Sequence, residues 1–307
     1  MSLARRLLLR VSRSAWLADQ LRRRAFFRRA ARRFLPGEDV AAALDAAADF
    51  ARAGLGTLLT QLGEQVRNPA EARAVRDHYL DVLGQVRRRG LPAQLSVKLT
   101  HLGLDVDRAA CAAALGALAA RAEQTGSFLW IDMEESRYVD ATLDLYREVR
   151  AEHARVGVCL QAYLHRTFTD LDRLVPLGPA IRVVKGAYNE PPAVAFPKKR
   201  DVDAAYVALA ERLLKEAARA RALPVFGTHD LRLIGRLRER ARALGVPRDG
   251  YEVHMLYGIR SADQRALAAD GCVVRVLVSY GTHWFPWYVR RLAERPANVW
   301  FVLRNLV

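Results

Sequence analysis

The segment AEARAVRDHYLDVLGQVRRR (residues 70–89), followed at once by QLSVKLT (residues 94–100), decides the fold. The first carries helical period and the second alternates apolar and polar side chains, the period of a strand. LGTLLTQL (residues 55–62) stands ahead of the helix and is rich in strand formers. Strand, helix and strand joined by short connections make a parallel unit, because a crossover helix returns the chain to the same edge of the sheet.

The same unit recurs along the chain. Further strand candidates are FLWIDME (128–134), VGVCLQAYL (156–164), IRVVKGA (181–187), LPVFGTH (223–229), YEVHMLY (251–257) and VVRVLVSY (273–280). Helical segments such as DAAYVALAERLLKEAARAR (203–221) lie between them. Eight strands in this length predict a closed α/β barrel of the (βα)₈ type, with extra helices at the N-terminal end. A doubly wound open sheet is the competing architecture, but no GxGxxG follows any strand. The expected division is a basic helical arm over residues 1–53 and a barrel catalytic domain over 54–307.

Composition fits a globular chain. Of 307 residues 51% are hydrophobic, enough for a large core. The formal net charge is +16, and residues 1–34 contain eleven arginines against one acid, Asp19. The arm therefore supplies +10 of the surplus, interleaved with Leu3, Leu7, Trp16, Leu17, Leu21, Phe26 and Phe27. Such a segment either lies on an anionic membrane surface or packs its apolar face on the barrel or another subunit. No nucleic-acid-binding module is recognisable. Cys111, Cys159 and Cys272 show no CxxC spacing and read as free buried thiols of a reducing cytoplasm. Leu7–Leu9 is too short for a signal-peptide core, and no apolar run spans a membrane.

Strand parity separates two sets of side chains. Leu95, Val97 and Leu99 share one face, Ser96, Lys98 and Thr100 the other. Asp132 falls with Trp130, Gln161 with Cys159, and Arg182 with Val184. The apolar sets should meet the outer helices and the polar sets the barrel interior. Lys98, Asp132, Gln161, Lys185, Thr228 and His229 all lie near the C-terminal ends of different strands, the face where barrel enzymes gather their catalytic groups. One such residue reads as a satisfied core group. Six at one rim read as a site, because each costs free energy to bury unless something pairs with it.

Around these strands, LSVKLT, IDMEES, LQAYLHRT, IRVVKGAYNEP with VAFPKK and DVDAAY after it, FGTHD, MLYGIR and YVRRLAERPANVWFVLR occur in order from about residue 54 onward. Together they resemble the bacterial monofunctional proline dehydrogenases. That resemblance implies a distorted (βα)₈ barrel with non-covalent FAD at its C-terminal face. It implies oxidation of L-proline to Δ1-pyrroline-5-carboxylate by hydride transfer to flavin N5, with a membrane quinone reoxidising the flavin.

The resemblance also implies roles. Lys98, Arg290 and Arg291 match the set that holds the substrate carboxylate, a task that suits arginine's planar fork. Leu256, Leu277 and Trp287 fall at the walls of the substrate pocket. Asp132 and Arg182 match active-site groups; Asp132 can equally serve to hold Lys98 in place. Met133, Gln161, Arg182, Val184, Lys185, Gly186, Ala187, Thr228 and His229 match flavin contacts, and a cation near reduced flavin stabilises its charge. Glu64 matches a position that pairs with Arg291 as a gate over bound substrate.

Three positions depart from the family pattern. Leu277 stands where a tyrosine is usual, Thr60 where the first strand carries an aspartate, and His254 where glutamine is common. They leave open a compensated site, an altered imino-acid substrate or reduced activity. A barrel aldolase using Lys98 or Lys185 as a Schiff-base nucleophile is the competing enzyme class. A flavin- or anion-binding relic without activity is the non-enzyme reading.

Overall fold

The computed structural model describes residues 33–284. Eight parallel strands close into one barrel in strict chain order. They are β1 (Gly56–Gln61), β2 (Ala93–Val97), β3 (Leu129–Ile131), β4 (Val156–Gln161), β5 (Ala180–Val184), β6 (Leu223–Gly227), β7 (Glu252–Leu256) and β8 (Val273–Tyr280). Closure runs through β1 and β8, where Leu58 is in register with Leu277 and Thr60 with Ser279. The expected barrel is the observed one.

Around it lie α1 (Val40–Arg52), α2 (Pro69–Arg88), α3 (Arg108–Thr125), α4 (Val139–Glu152), α5 (Thr167–Leu174), α6 (Lys199–Ala217), α7 (Leu231–Ala243) and α8 (Ser261–Ala269). Sequence sets several starts. Asn68 and Asp107 accept hydrogen bonds from the first free backbone N–H groups of α2 and α3, and Pro69 opens α2. These caps satisfy donors that a helix end leaves orphaned. Helix α1 packs on β1 and β8 through Ala43, Leu44 and Ala47, so the chain ahead of residue 54 already covers part of the barrel.

Two apolar layers hold the barrel. The outer layer, with Leu59, Leu95, Val97 and Ile131 among its strand members, packs under the helices. The inner cluster is small: Leu58, Trp130, Ala180 and Val225, flanked by the half-buried Phe128, Leu223 and Leu277. The faces are those that strand parity assigns. All three cysteines are buried and unpaired. Among the described residues no helix is long and apolar enough to cross a membrane.

The strands are shorter than their apolar runs suggest. β2 stops at Val97 and β3 at Ile131, so Lys98 and Asp132 stand just beyond the last ladder residues; Lys185, Thr228 and His229 do the same after β5 and β6. A strand must leave the sheet before it can turn to its helix, and the first residues to leave form the barrel mouth.

Candidate active site

The mouth is organised by one ion-pair cluster. Arg182, inside the barrel on β5, bonds through Nη2 to Asp132 beyond β3, and the same nitrogen donates to Ser96 Oγ on β2 at 2.9 Å. Ser96 Oγ donates to Asp132 Oδ1 at 3.0 Å. Lys98 Nζ lies 3.9 Å from Asp132 Oδ2. Asp132 thus takes both cations, one at each oxygen, and the Lys98–Asp132 pairing foreseen in the sequence is present. The Arg182 side chain is 6% exposed, so its charge needs this partner. Two cations against one carboxylate leave the cluster one positive charge in excess, the sign that attracts a carboxylate ligand.

Beside it, Gln161 at the end of β4 donates Nε2 to the carbonyls of Met133 (3.1 Å) and Glu134 (3.3 Å). Its Oε1 is buried with no hydrogen-bond partner among the described residues. Glu134 accepts from Thr100 N at 3.0 Å and from Thr100 Oγ1 at 2.6 Å. Burial pushes the Glu134 carboxyl up from its ordinary value, with the Thr100 bonds opposing.

Lys185 belongs to a separate cluster. Its amine sits 2.6 Å from Asp203 on α6 and 3.5 Å from Asp230 at the foot of α7. Thr228 Oγ1 accepts from Asp230 N at 3.2 Å. His229 Nε2 accepts from Leu256 N at 3.3 Å, which places the proton of a neutral ring on Nδ1. Gly186 has φ +112°, a conformation side chains avoid, and a Cβ built there would stand 2.2 Å from the Tyr163 ring. The room that glycine provides is therefore already used by Tyr163. Val184 is half-buried and Ala187 exposed.

The apolar wall is formed by neighbours in register: Leu256 on β7 faces Leu277 on β8, which faces Leu58 on β1. Leu277 points inward and packs against the inner cluster of Leu58, Trp130, Ala180 and Val225, as its parity predicts. Where the family pattern has a tyrosine, this barrel presents a continuous aliphatic strip.

Beneath the mouth lies a polar network. Arg275 donates Nε and Nη2 to the two oxygens of Glu252 at 2.8 and 2.9 Å, and His254 Nε2 sits 2.8 Å from Glu252 Oε2. Burial lowers His254 to about 4 against the opposing pull of Glu252, so the ring is neutral near pH 7 and donates through Nε2. Burial raises Glu252, but bonds and charge from His254 and Arg275 outweigh it and hold the carboxyl down to about 2. Glu252, Arg275, Trp130 and Glu134 were not singled out as functional from sequence. Their signal was faint: inward parity on a strand, shared with ordinary filling residues.

Trp287, Arg290 and Arg291 lie outside the described residues. Glu64, the expected gate partner of Arg291, follows β1 and is half-buried, near enough to His101 to oppose the burial that lowers that ring to about 4.

A closed parallel barrel whose C-terminal mouth gathers Lys98, Asp132 and Arg182 over an aliphatic wall has the architecture of a barrel enzyme. The proline dehydrogenase family model matches residues 43–304. Proline dehydrogenase 1 of Bacillus subtilis is 35% identical over 277 residues, 90% of either chain. Proline dehydrogenase of Deinococcus radiodurans is 37% identical over 284 residues, again 90% of each. Crystal structures of proline utilization A share the barrel. The Bdellovibrio bacteriovorus protein superposes with a TM-score of 0.80 at 23% identity over 87% of this chain and 33% of its own. A second, described as bifunctional proline utilization A, gives 0.75 at 25% identity over 88% of this chain. The chain thus spans about a third of those longer polypeptides. This chain belongs to the proline dehydrogenase family of oxidoreductases. The match begins inside α1 rather than near residue 54, consistent with the packing of that helix on the barrel. Membership sets aside the aldolase reading; Lys98 and Lys185 are both ion-paired.

Proposed function

We propose that the barrel oxidises L-proline to Δ1-pyrroline-5-carboxylate, using non-covalently held FAD and passing the electrons to a membrane quinone. The observation that carries this reading is the Lys98–Asp132–Arg182 cluster at the mouth.

The residues present suit a flavin. Gln161 Oε1 is a buried acceptor in want of a donor, and an imide N–H on a flavin's pyrimidine edge supplies one. Met133, Val184, Gly186 and Ala187 bring backbone to the same rim, with Arg182, Lys185, Thr228 and His229 as the polar contacts. Bound FAD supplies the hydride acceptor. The chain's own part is positioning and charge. Lys98 meets the substrate carboxylate, joined by Arg290 and Arg291 from the C-terminal segment. Asp132 holds Lys98 and Arg182 apart at fixed places. The cation at Arg182 would favour the reduced, more negative form of a bound flavin. Glu64 and Arg291 close over the bound substrate. Leu256, Leu277 and Trp287 wall the ring of the imino acid.

The visible spectrum tests the reading. The purified protein should show a flavin band that L-proline bleaches without oxygen. Absence of flavin after reconstitution with FAD would overturn the proposal.

A second reading concerns the substrate alone. The aliphatic strip Leu58–Leu277–Leu256 favours a more apolar or bulkier cyclic imino acid than a tyrosine-lined pocket would. Comparing kcat/KM for L-proline and its six-membered-ring homologue decides between them.

A further inference from the structure

We infer that Trp130 is the positioning residue for Arg182: its indole, locked on three sides, fixes the guanidinium that holds Asp132 at the mouth. The inference rests on the reading of Arg182 and Asp132 as site groups given above.

The two hydrogen bonds from Arg182 to Ser96 and Asp132 both leave Nη2. Two bonds from one nitrogen anchor that atom but do not by themselves fix the guanidinium plane, which also meets Cys159 on the neighbouring strand. The Trp130 ring lies under the guanidinium, whose carbon is 5.2 Å from the ring centroid. In a buried setting this contact is attractive as well as a stop.

The indole itself has one position. Its Nε1 donates to Gln94 Oε1 at 2.7 Å. His254 meets it edge-on, centroids 5.3 Å apart and planes at 82°. Phe128 lies on another side at 5.1 Å. His254 is in turn tied to Glu252, and Glu252 to the two nitrogens of Arg275. On β4 the space is provided by Gly157, where a Cβ would fall 2.6 Å from Trp130 Cζ3. Sequence alone offers no reason for glycine inside a β4 run; the indole and the Ala180 carbonyl, 2.9 Å from the same position, together exclude a side chain there. A linked series thus runs up the barrel from Arg275 through Glu252, His254 and Trp130 to Arg182 and Asp132. The contacts of its lower members lead to Arg182 through the His254 edge on Trp130.

A double-mutant cycle between Trp130→Phe and Arg182→Lys tests this, read as kcat/KM for L-proline and as the affinity of the apoprotein for FAD by flavin fluorescence. Trp130→Phe should lower kcat/KM about tenfold when Arg182 is present and by less than about twofold in the Arg182→Lys background. FAD affinity should show the same non-additivity. Gln94→Leu, far down β2 and outside the site, frees Nε1 without altering the ring. It covers the case in which Trp130→Phe does not fold, and should cost about threefold, again only with Arg182 present. Equal penalties in both backgrounds would overturn the inference while leaving the site reading intact. Wild-type activity and FAD affinity in Arg182→Lys alone would overturn the site reading itself, and this inference with it.

Discussion

Asp132 and Arg182 pair across β4: one stands just past the end of β3, the other on β5, and the side chains meet inside the barrel over the intervening strand. They can do so because Gly157 and Cys159, the inward residues of β4 beneath them, are small. The pair is mostly dry, with side-chain exposures of 6% for Arg182 and 19% for Asp132. Breaking it leaves a buried cation uncompensated. Asp132→Asn should therefore cost about 3 kcal/mol in urea denaturation and lower kcat/KM together. A variant of unchanged stability would show that water, rather than Asp132, satisfies the guanidinium.

In the proposed pocket, Leu277 is the inward residue that departs from the family pattern. Leu277→Tyr restores a ring and a hydroxyl beside Leu256 and Leu58. It should move selectivity toward L-proline and away from the larger homologue by about tenfold in the ratio of kcat/KM values. An unchanged ratio would mean that the wall does not touch the substrate ring.

Acid should weaken the fold in two stages. Burial lowers His254 and His101 to about 4, from 6.5 when unfolded, so the unfolded chain binds protons more readily and stability falls as pH drops from 6.5 toward 4. Glu252 is held down to about 2 from 4.5, against burial, by His254 and Arg275; its contribution is full above 4.5 and is lost as pH falls toward 2. Denaturation midpoints measured against pH should show the upper stage reduced in His254→Gln. A slope unchanged in that variant would assign the upper stage to His101 and to His78, whose ring burial also lowers.

Gly186 should not tolerate a side chain. Its φ of +112° and the Tyr163 ring 2.2 Å from a built Cβ combine backbone strain with overlap. Gly186→Ala should lose about 2 kcal/mol or more and bind FAD less tightly, as titration of the apoprotein would reveal.

Residues 1–34 supply +10 of charge on an apolar-studded segment. If they contact a bilayer, the full chain will bind anionic vesicles at low salt and release them as salt rises, and deletion of the segment will abolish this. No binding at low salt would leave packing against protein as the segment's role.

The sequence by itself determined the barrel and much of its rim. Strand period and helix period are local properties, so eight β-then-α units could be counted without coordinates. Inward parity correctly grouped Ser96, Asp132, Arg182 and Leu277, because alternation is fixed by the backbone. The order of motifs from LSVKLT to YVRRLAERPANVWFVLR pointed to the family that the relatives show. What only the tertiary structure decided is which inward side chains meet. Arg182 reaches Asp132 across a whole strand, Lys185 turns to Asp203 and Asp230, and His254 finds Glu252 and Trp130. Those partners depend on strand register, on the curvature that closure imposes and on the size of the residue between, as Gly157 shows beneath Trp130. Periodicity tells each strand which way a side chain points; only the closed barrel sets what stands opposite it.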